Sequence, residues 1–183
     1  MAANKDIQVC ASLLARLRPL FEQAAQALAQ SCSEAGVFNA RRFDTQQVAS
    51  YELAWASADL LAAEMAIQGV GGGANALETG LALVFSIDAI GAVLGRTEML
   101  FLELGLDIAP VQAFASDAAW VALRRSAGSA AALQATGRAL ADAGGDVGGV
   151  VLDEAHAMAQ DAFRRFAADV VAQAIKAGAS DAE

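Results

Sequence analysis

The chain has 183 residues, 56% hydrophobic and 18% charged, with a formal net charge of −9. That length suits one domain, 1–183, with a core of its own. The acid excess, with no basic run longer than Arg41-Arg42, Arg124-Arg125 or Arg164-Arg165, excludes nucleic acid and anionic lipid as expected partners.

Abundant alanine and only two prolines favour helix throughout. The first helix is predicted over Lys5–Ser31. Leu13, Leu14, Leu17, Leu20, Phe21 and Leu28 recur there at three and four, and Pro19 predicts a kink or a split into two helices. Ser33–Arg42 reads as a link containing Gly36 and Asn39. Asp44, with Gln47 three residues on, has the form of a capping box opening a second helix to about Gln68. Its apolar stripe, Val48, Tyr51, Trp55, Ala58, Ala62 and Met65, is expected to face the core, and Glu52, Asp59 and Glu64 to face solvent. Gly69–Gly73 reads as a flexible joint. It lacks the Lys-Ser/Thr pair of a phosphate loop and follows a helix instead of a strand.

Asn75 and Glu78 form a second capping box, opening a helix to Leu94 that is apolar on nearly every side and so belongs at the centre of a bundle. Mean hydropathy is +0.41, but the apolar run Leu81–Leu94 falls short of the roughly 20 residues of a span and carries Asp88. No membrane span is expected. Gly95 is the predicted stop. A short helix Arg96–Leu104 ends at Gly105, Pro110 opens another to Arg125, and Ser129–Ala143 is a further helix. A second flexible joint is placed at 144–149, and the last helix runs from about Val151 to Lys176. The fold class is therefore all-α: an antiparallel helical bundle of six or seven helices.

Chemistry is hard to find. Cys10 and Cys32 lie outside any CxxC and read as buried thiols. The single His156 cannot supply the paired Glu-x-x-His motifs of a di-iron bundle, and no G-x-S-x-G accompanies it as a hydrolase nucleophile. It reads as a surface residue beside Asp153 and Glu154. Glu98, Glu103 and Asp107 read as a solvated acidic face near Arg96. Asp88, within the apolar helix, is the candidate buried polar anchor, either paired or in contact with a ligand. Tyr51, Trp55 and Trp120 are candidate interface or core aromatics. No catalytic, cofactor-binding or metal-binding residue is assigned, and no cofactor is expected. The polar start, Met1–Val9, lacks a secretory pattern, so a cytoplasmic setting is the expectation.

Three segments resemble a known family. They are Phe43-Asp44-Thr45-Gln46-Gln47-Val48-Ala49-Ser50-Tyr51-Glu52-Leu53-Ala54-Trp55; Ala82–Ile90 with Leu94-Gly95-Arg96; and Asp161–Val171, which contains Phe163-Arg164-Arg165-Phe166-Ala167. Together, across roughly residues 40–176, they resemble the helical N-terminal extension of acyl-CoA dehydrogenases of the methylsuccinyl-CoA dehydrogenase type. In that family the last helix leads into the flavin-binding body, so the resemblance carries over no catalytic or flavin-contacting residue. It implies a non-catalytic interaction module or small subunit, not an enzyme on its own. The partner would be an acyl-CoA dehydrogenase-like flavoprotein, or a second copy in a homo-oligomer. The alternative is a bundle that binds an acyl chain or other small apolar ligand near Leu81–Leu94, with Asp88 as its polar contact.

Overall fold

The computed structural model describes residues 2–70, 74–144 and 153–180. Where the sequence groups 1–183 as one domain, the structure has two compact units, Met1–Val147 and Gly148–Glu183. Of the two expected joints, only Gly69, Val70 and Gly144 lie among the described residues.

The first unit opens with α1 (Ala2–Ser31), which runs unbroken through Pro19. The proline is exposed. Ile7, Cys10, Leu14, Leu17, Phe21, Ala24 and Leu28 are buried on both sides of it, and that packing holds one helix despite the missing amide donor. The expected link contains a small antiparallel hairpin, β1 (Ser33–Glu34) and β2 (Val37–Phe38), pairing Ser33 with Phe38 and Glu34 with Val37. Its two-residue turn places Ala35 (φ 50°) and Gly36 (φ 79°) in the left-handed region, the geometry of a tight hairpin.

Asp44 does not cap a helix. It lies inside α2 (Ala40–Thr45), whose N-cap is Asn39, with its side chain accepting from the Arg42 N–H. α3 (Gln47–Gly69) follows from Gln46 without a side-chain cap. The helices meet end to end, so the Asp44 carboxylate is not placed at a free helix start.

α4 (Ala76–Glu103) opens with the expected capping box. Asn75 accepts from the Glu78 N–H at 2.9 Å, and Glu78 accepts from the Asn75 N–H at 3.0 Å. The predicted stop at Gly95 is not observed, and the segment 96–103 is part of the same helix. Buried Ile90, Val93, Leu94, Thr97, Leu100 and Phe101 flank the glycine, and their burial outweighs a propensity cost of about 1 kcal/mol. The helix ends where Gly105 turns left-handed (φ 66°) and the Leu106 N–H reaches back to the Phe101 carbonyl at 2.8 Å.

Asp117 breaks the single helix expected after Pro110 into α5 (Ala109–Ala115) and α6 (Ala118–Ser126). Its carboxylate accepts from the Ala119 and Trp120 N–H groups. Ser129 caps α7 (Ala130–Asp142), which has no buried residue and lies at the rim.

The core sits between α1, α3 and α4, with α5 and α6 closing one side through Val111, Phe114, Trp120 and Leu123. α4 packs on α1, α3, α5 and α7, the central place its all-round apolarity calls for. By length and composition α4 could cross a membrane, yet 44% of its most apolar window is buried within the bundle.

The second unit is one helical rod: α8 (Glu154–Phe166), a π-helical turn (Ala167–Val171) and α9 (Ala172–Ser180). Asp153 caps it, accepting from the His156 N–H at 2.9 Å. The fold is thus all-α apart from the hairpin.

Candidate functional site

Helix α3 has two apolar rows. Ala49, Leu53, Ala56, Leu60, Ala63 and Ile67 alternate at four and three, and this row faces the core: all are buried except Leu53, which packs partly buried against it. Val48, Tyr51, Trp55, Ala58, Ala62 and Met65 alternate at three and four, roughly 150° around the helix. This second row is exposed, with Val48 at 72%, Tyr51 at 60%, Trp55 at 47% and Met65 at 59%. Leu61, beside it, is 56% exposed. The expectation that this stripe faces the core is therefore corrected. Both rows have helical spacing, and the alanine-rich one goes inside because small side chains let α3 approach α1 and α4 closely.

The acidic residues of α3 are corrected with it. Glu52, Asp59 and Glu64 are half-buried at the seams with neighbouring helices. Arg96 of α4 binds Glu52 through Nη1, and its Nε lies 3.9 Å from Asp59. Arg18 of α1 forks onto Glu64, with Nε donating at 2.6 Å and Nη2 donating to the other oxygen. The Glu64 hydrogen bond raises the Arg18 pKa, holding the guanidinium more firmly charged. Tyr51 and Trp55 meet edge to face outside the bundle, with ring centroids 6.2 Å apart.

Asp88 is not a buried anchor. It is exposed, and the buried polar residues of α4 are Ser86 and Thr97. The helix is apolar on nearly every side, but Asp88, Gly91 and Gly95 share one open side. That side forms the floor of a groove of about 640 Å³. The opposite wall comes from α5 and α6, with Gln112, Ser116, Trp120 and Arg124. Trp120 is core, 3% exposed, packed on Phe114 with a ring separation of 6.4 Å and covered by the Arg124 guanidinium at 5.5 Å. The structure thus brings Asp88 and Trp120 to one groove and leaves Tyr51 and Trp55 on a different face.

A second groove, of about 630 Å³, lies between α1, the hairpin, α2 and α3. Phe21, Leu28, Cys32, Phe38, Phe43 and Leu53 give it an apolar wall. No single motif marks it, since the hairpin that brings Phe38 beside Phe43 (centroids 5.6 Å) has strands of two residues each.

Other candidate groups lie apart. Cys10 and Cys32 are buried free thiols, and burial pushes the Cys10 thiol up to about 11, partly offset by a Ser86 hydrogen bond. His156 is exposed, with Nδ1 2.7 Å from Asp153. The main-chain and side-chain hydrogen bonds of His156 hold the Asp153 carboxyl below its usual range. Glu98, Glu103 and Asp107 are exposed, and Arg96 turns to Glu52 and Asp59. Among the described residues, no three metal-ligating side chains converge.

No protein-family model and no curated protein matches the chain. The site must therefore be read from its own surfaces. In the second unit, Met158, Phe163, Phe166, Val170, Val171 and Ile175 are all exposed on a lone helix, which by itself has no interior to put them in.

Proposed function

We propose that the chain is a non-catalytic helical interaction module. The observation that carries this reading is the exposed row on α3, where large apolar side chains with heptad spacing stand outside a finished core. Single exposed apolar residues are ordinary on a protein surface, whereas a continuous row at three and four is the pattern by which helices dock. The rod of the second unit adds another apolar face. For the partner, the resemblance of residues 40–176 favours an acyl-CoA dehydrogenase-like flavoprotein, with the rod, which holds the Asp161–Val171 segment, as the attaching element.

The test is light scattering of the full chain mixed with purified acyl-CoA dehydrogenases of its host, following flavin absorbance. A stable mixed complex is expected. It should weaken when Phe163 and Phe166 are both changed to Ser. Flavoproteins that elute unshifted at every ratio would refute the flavoprotein partner.

A second reading is supported by the Phe21–Phe38–Phe43 groove, whose volume and apolar wall suit an acyl chain or a small apolar molecule. Its place is between α1, α2 and α3, away from the Leu81–Leu94 interior. Native mass spectrometry after gentle purification tests it: a bound lipid lost in Phe38→Ser supports ligand binding, and a bare mass rejects it.

A further inference from the structure

We infer that the outer row of α3 pairs with the same row of a second copy, antiparallel, about a two-fold axis between residues 56 and 57. This rests on reading that row as a docking surface, and it assigns the occupant.

The row is self-complementary in volume when read against its own reverse. Along the seam of an antiparallel helix pair, each residue faces one whose number completes a constant sum. Here that register sets Val48 against Met65, Tyr51 against Ala62 and Trp55 against Ala58 of the other copy. Each aromatic ring thus lies over an alanine, the large-against-small alternation that fills a helix interface without voids. A parallel pair would stack Trp55 on Trp55 and leave Ala58 facing Ala58, giving a clash beside a hole.

The flanking rows are related by the same two-fold axis, their paired numbers summing to two more on one edge and two less on the other. On one edge Gln47 meets Gln68 and Ala54 meets Leu61, so the exposed leucine also gains a small partner. On the other edge Glu52 meets Asp59. Both carboxylates are bridged by Arg96 within each copy, which places two guanidiniums among four acids and moderates their repulsion. The remaining acid of the helix, Glu64, is held by Arg18. The seam itself carries no charge, so a chain of net charge −9 can meet its copy here.

The area is sufficient. Large aromatic side chains offer roughly 150–250 Å² each. On that scale the five exposed large residues present on the order of 500–600 Å² per copy. Two copies bury about 1,100 Å² before the alanines and glutamines are counted, just under the ~1,200–2,000 Å² of specific stable interfaces and above the roughly 1,000 Å² that a biological interface should clear. The Tyr51–Trp55 pair, already edge to face, supplies the aromatic anchor at its centre.

The experiment uses the full chain. Sedimentation equilibrium should give a reversible dimer. Ala58→Glu, a change on an exposed helix position, should raise the dimer dissociation constant at least tenfold while leaving the circular dichroism unchanged. Orientation is read from single cysteines. Tyr51→Cys mixed with Ala62→Cys should form a disulfide-linked dimer under mild oxidation, and neither should do so alone, since Cys10 and Cys32 are buried. A monomer at all concentrations, a dimer indifferent to Ala58→Glu, or Tyr51→Cys linking to itself would each overturn the inference. A monomer that still binds a dehydrogenase would overturn the self-pairing and leave the interaction-module reading standing. A dimer that binds none would do the reverse for the flavoprotein partner.

Discussion

Gly91 and Gly95 sit one turn apart inside α4, on its exposed side, and a Cβ added at either meets nothing within 4 Å. Each glycine lowers the stability of a helix interior by about 0.8–1 kcal/mol relative to alanine. Gly91→Ala and Gly95→Ala should therefore each stabilise the first unit by up to about 1 kcal/mol, and the double variant by about 2 kcal/mol. For a domain of this size that raises the melting temperature by roughly 4–8 °C. Gly128 provides the contrast. A Cβ there comes to 3.0 Å from the Arg124 carbonyl oxygen and 3.0 Å from Ile87 Cγ2, so Gly128→Ala should destabilise by about 1–3 kcal/mol. Urea unfolding followed by circular dichroism, with an unchanged slope, measures all four variants. Loss of stability in Gly91→Ala or Gly95→Ala would refute the reasoning, because it would require something to be packed against that side of α4. Because both new methyls project into the groove of Asp88 and Trp120, any ligand of that groove should be weakened in the stabilised double variant.

Two further outcomes follow from the core and from the buried thiol. Phe101→Ala should cost about 3–5 kcal/mol and Leu60→Ala about 2–5 kcal/mol in urea unfolding, since both side chains are fully buried; Leu133→Ala, on an exposed rim position, should stay within about 0.5 kcal/mol. Cys10 titrates at about 11 in the fold, against 9.0 unperturbed, because burial disfavours the thiolate. The raised value stabilises the fold in full below pH 9, and that stability is lost as pH rises through 11. The loss is on the order of 2–3 kcal/mol over that window, and Cys10→Ala should abolish this part of the alkaline slope.

What could be read from the sequence differs from helix to helix for physical reasons. The α1 core row and the Asn75–Glu78 box were legible because local spacing and capping chemistry decide them. The α5–α6 break has a signal in the sequence, Asp117 followed by helix formers, but an Asp within an alanine-rich run can also sit on a helix surface, and only its hydrogen bonds to the Ala119 and Trp120 N–H groups mark it as a cap. The hairpin was not legible, because two-residue strands have no periodicity. Asp88 misled because flanking apolarity does not give direction: one residue of rotation separates buried Ile87 from exposed Asp88. The outward position of Tyr51 and Trp55 is not legible in the sequence, because two apolar rows of α3 have the same helical spacing and only the packing shows which one is covered.

Helix α3 shows what settles such a choice. Its two rows are both apolar and both correctly spaced, and the outer one carries the larger hydrophobic area, so burial alone would turn Trp55 and Tyr51 inward. Two things oppose that. Alanines at 49, 56 and 63 fit the narrow space beside α1 and α4, which two aromatic rings would force apart. The ion pairs then fix the rotation: with α3 turned to bury the outer row, Glu52 and Asp59 leave Arg96, and Glu64 leaves Arg18, and half-buried guanidiniums lose their partners. The acids that looked like a solvated face are thus the features that orient the helix. By holding the alanine row inside, they keep the aromatic row outside, where a second helix can reach it.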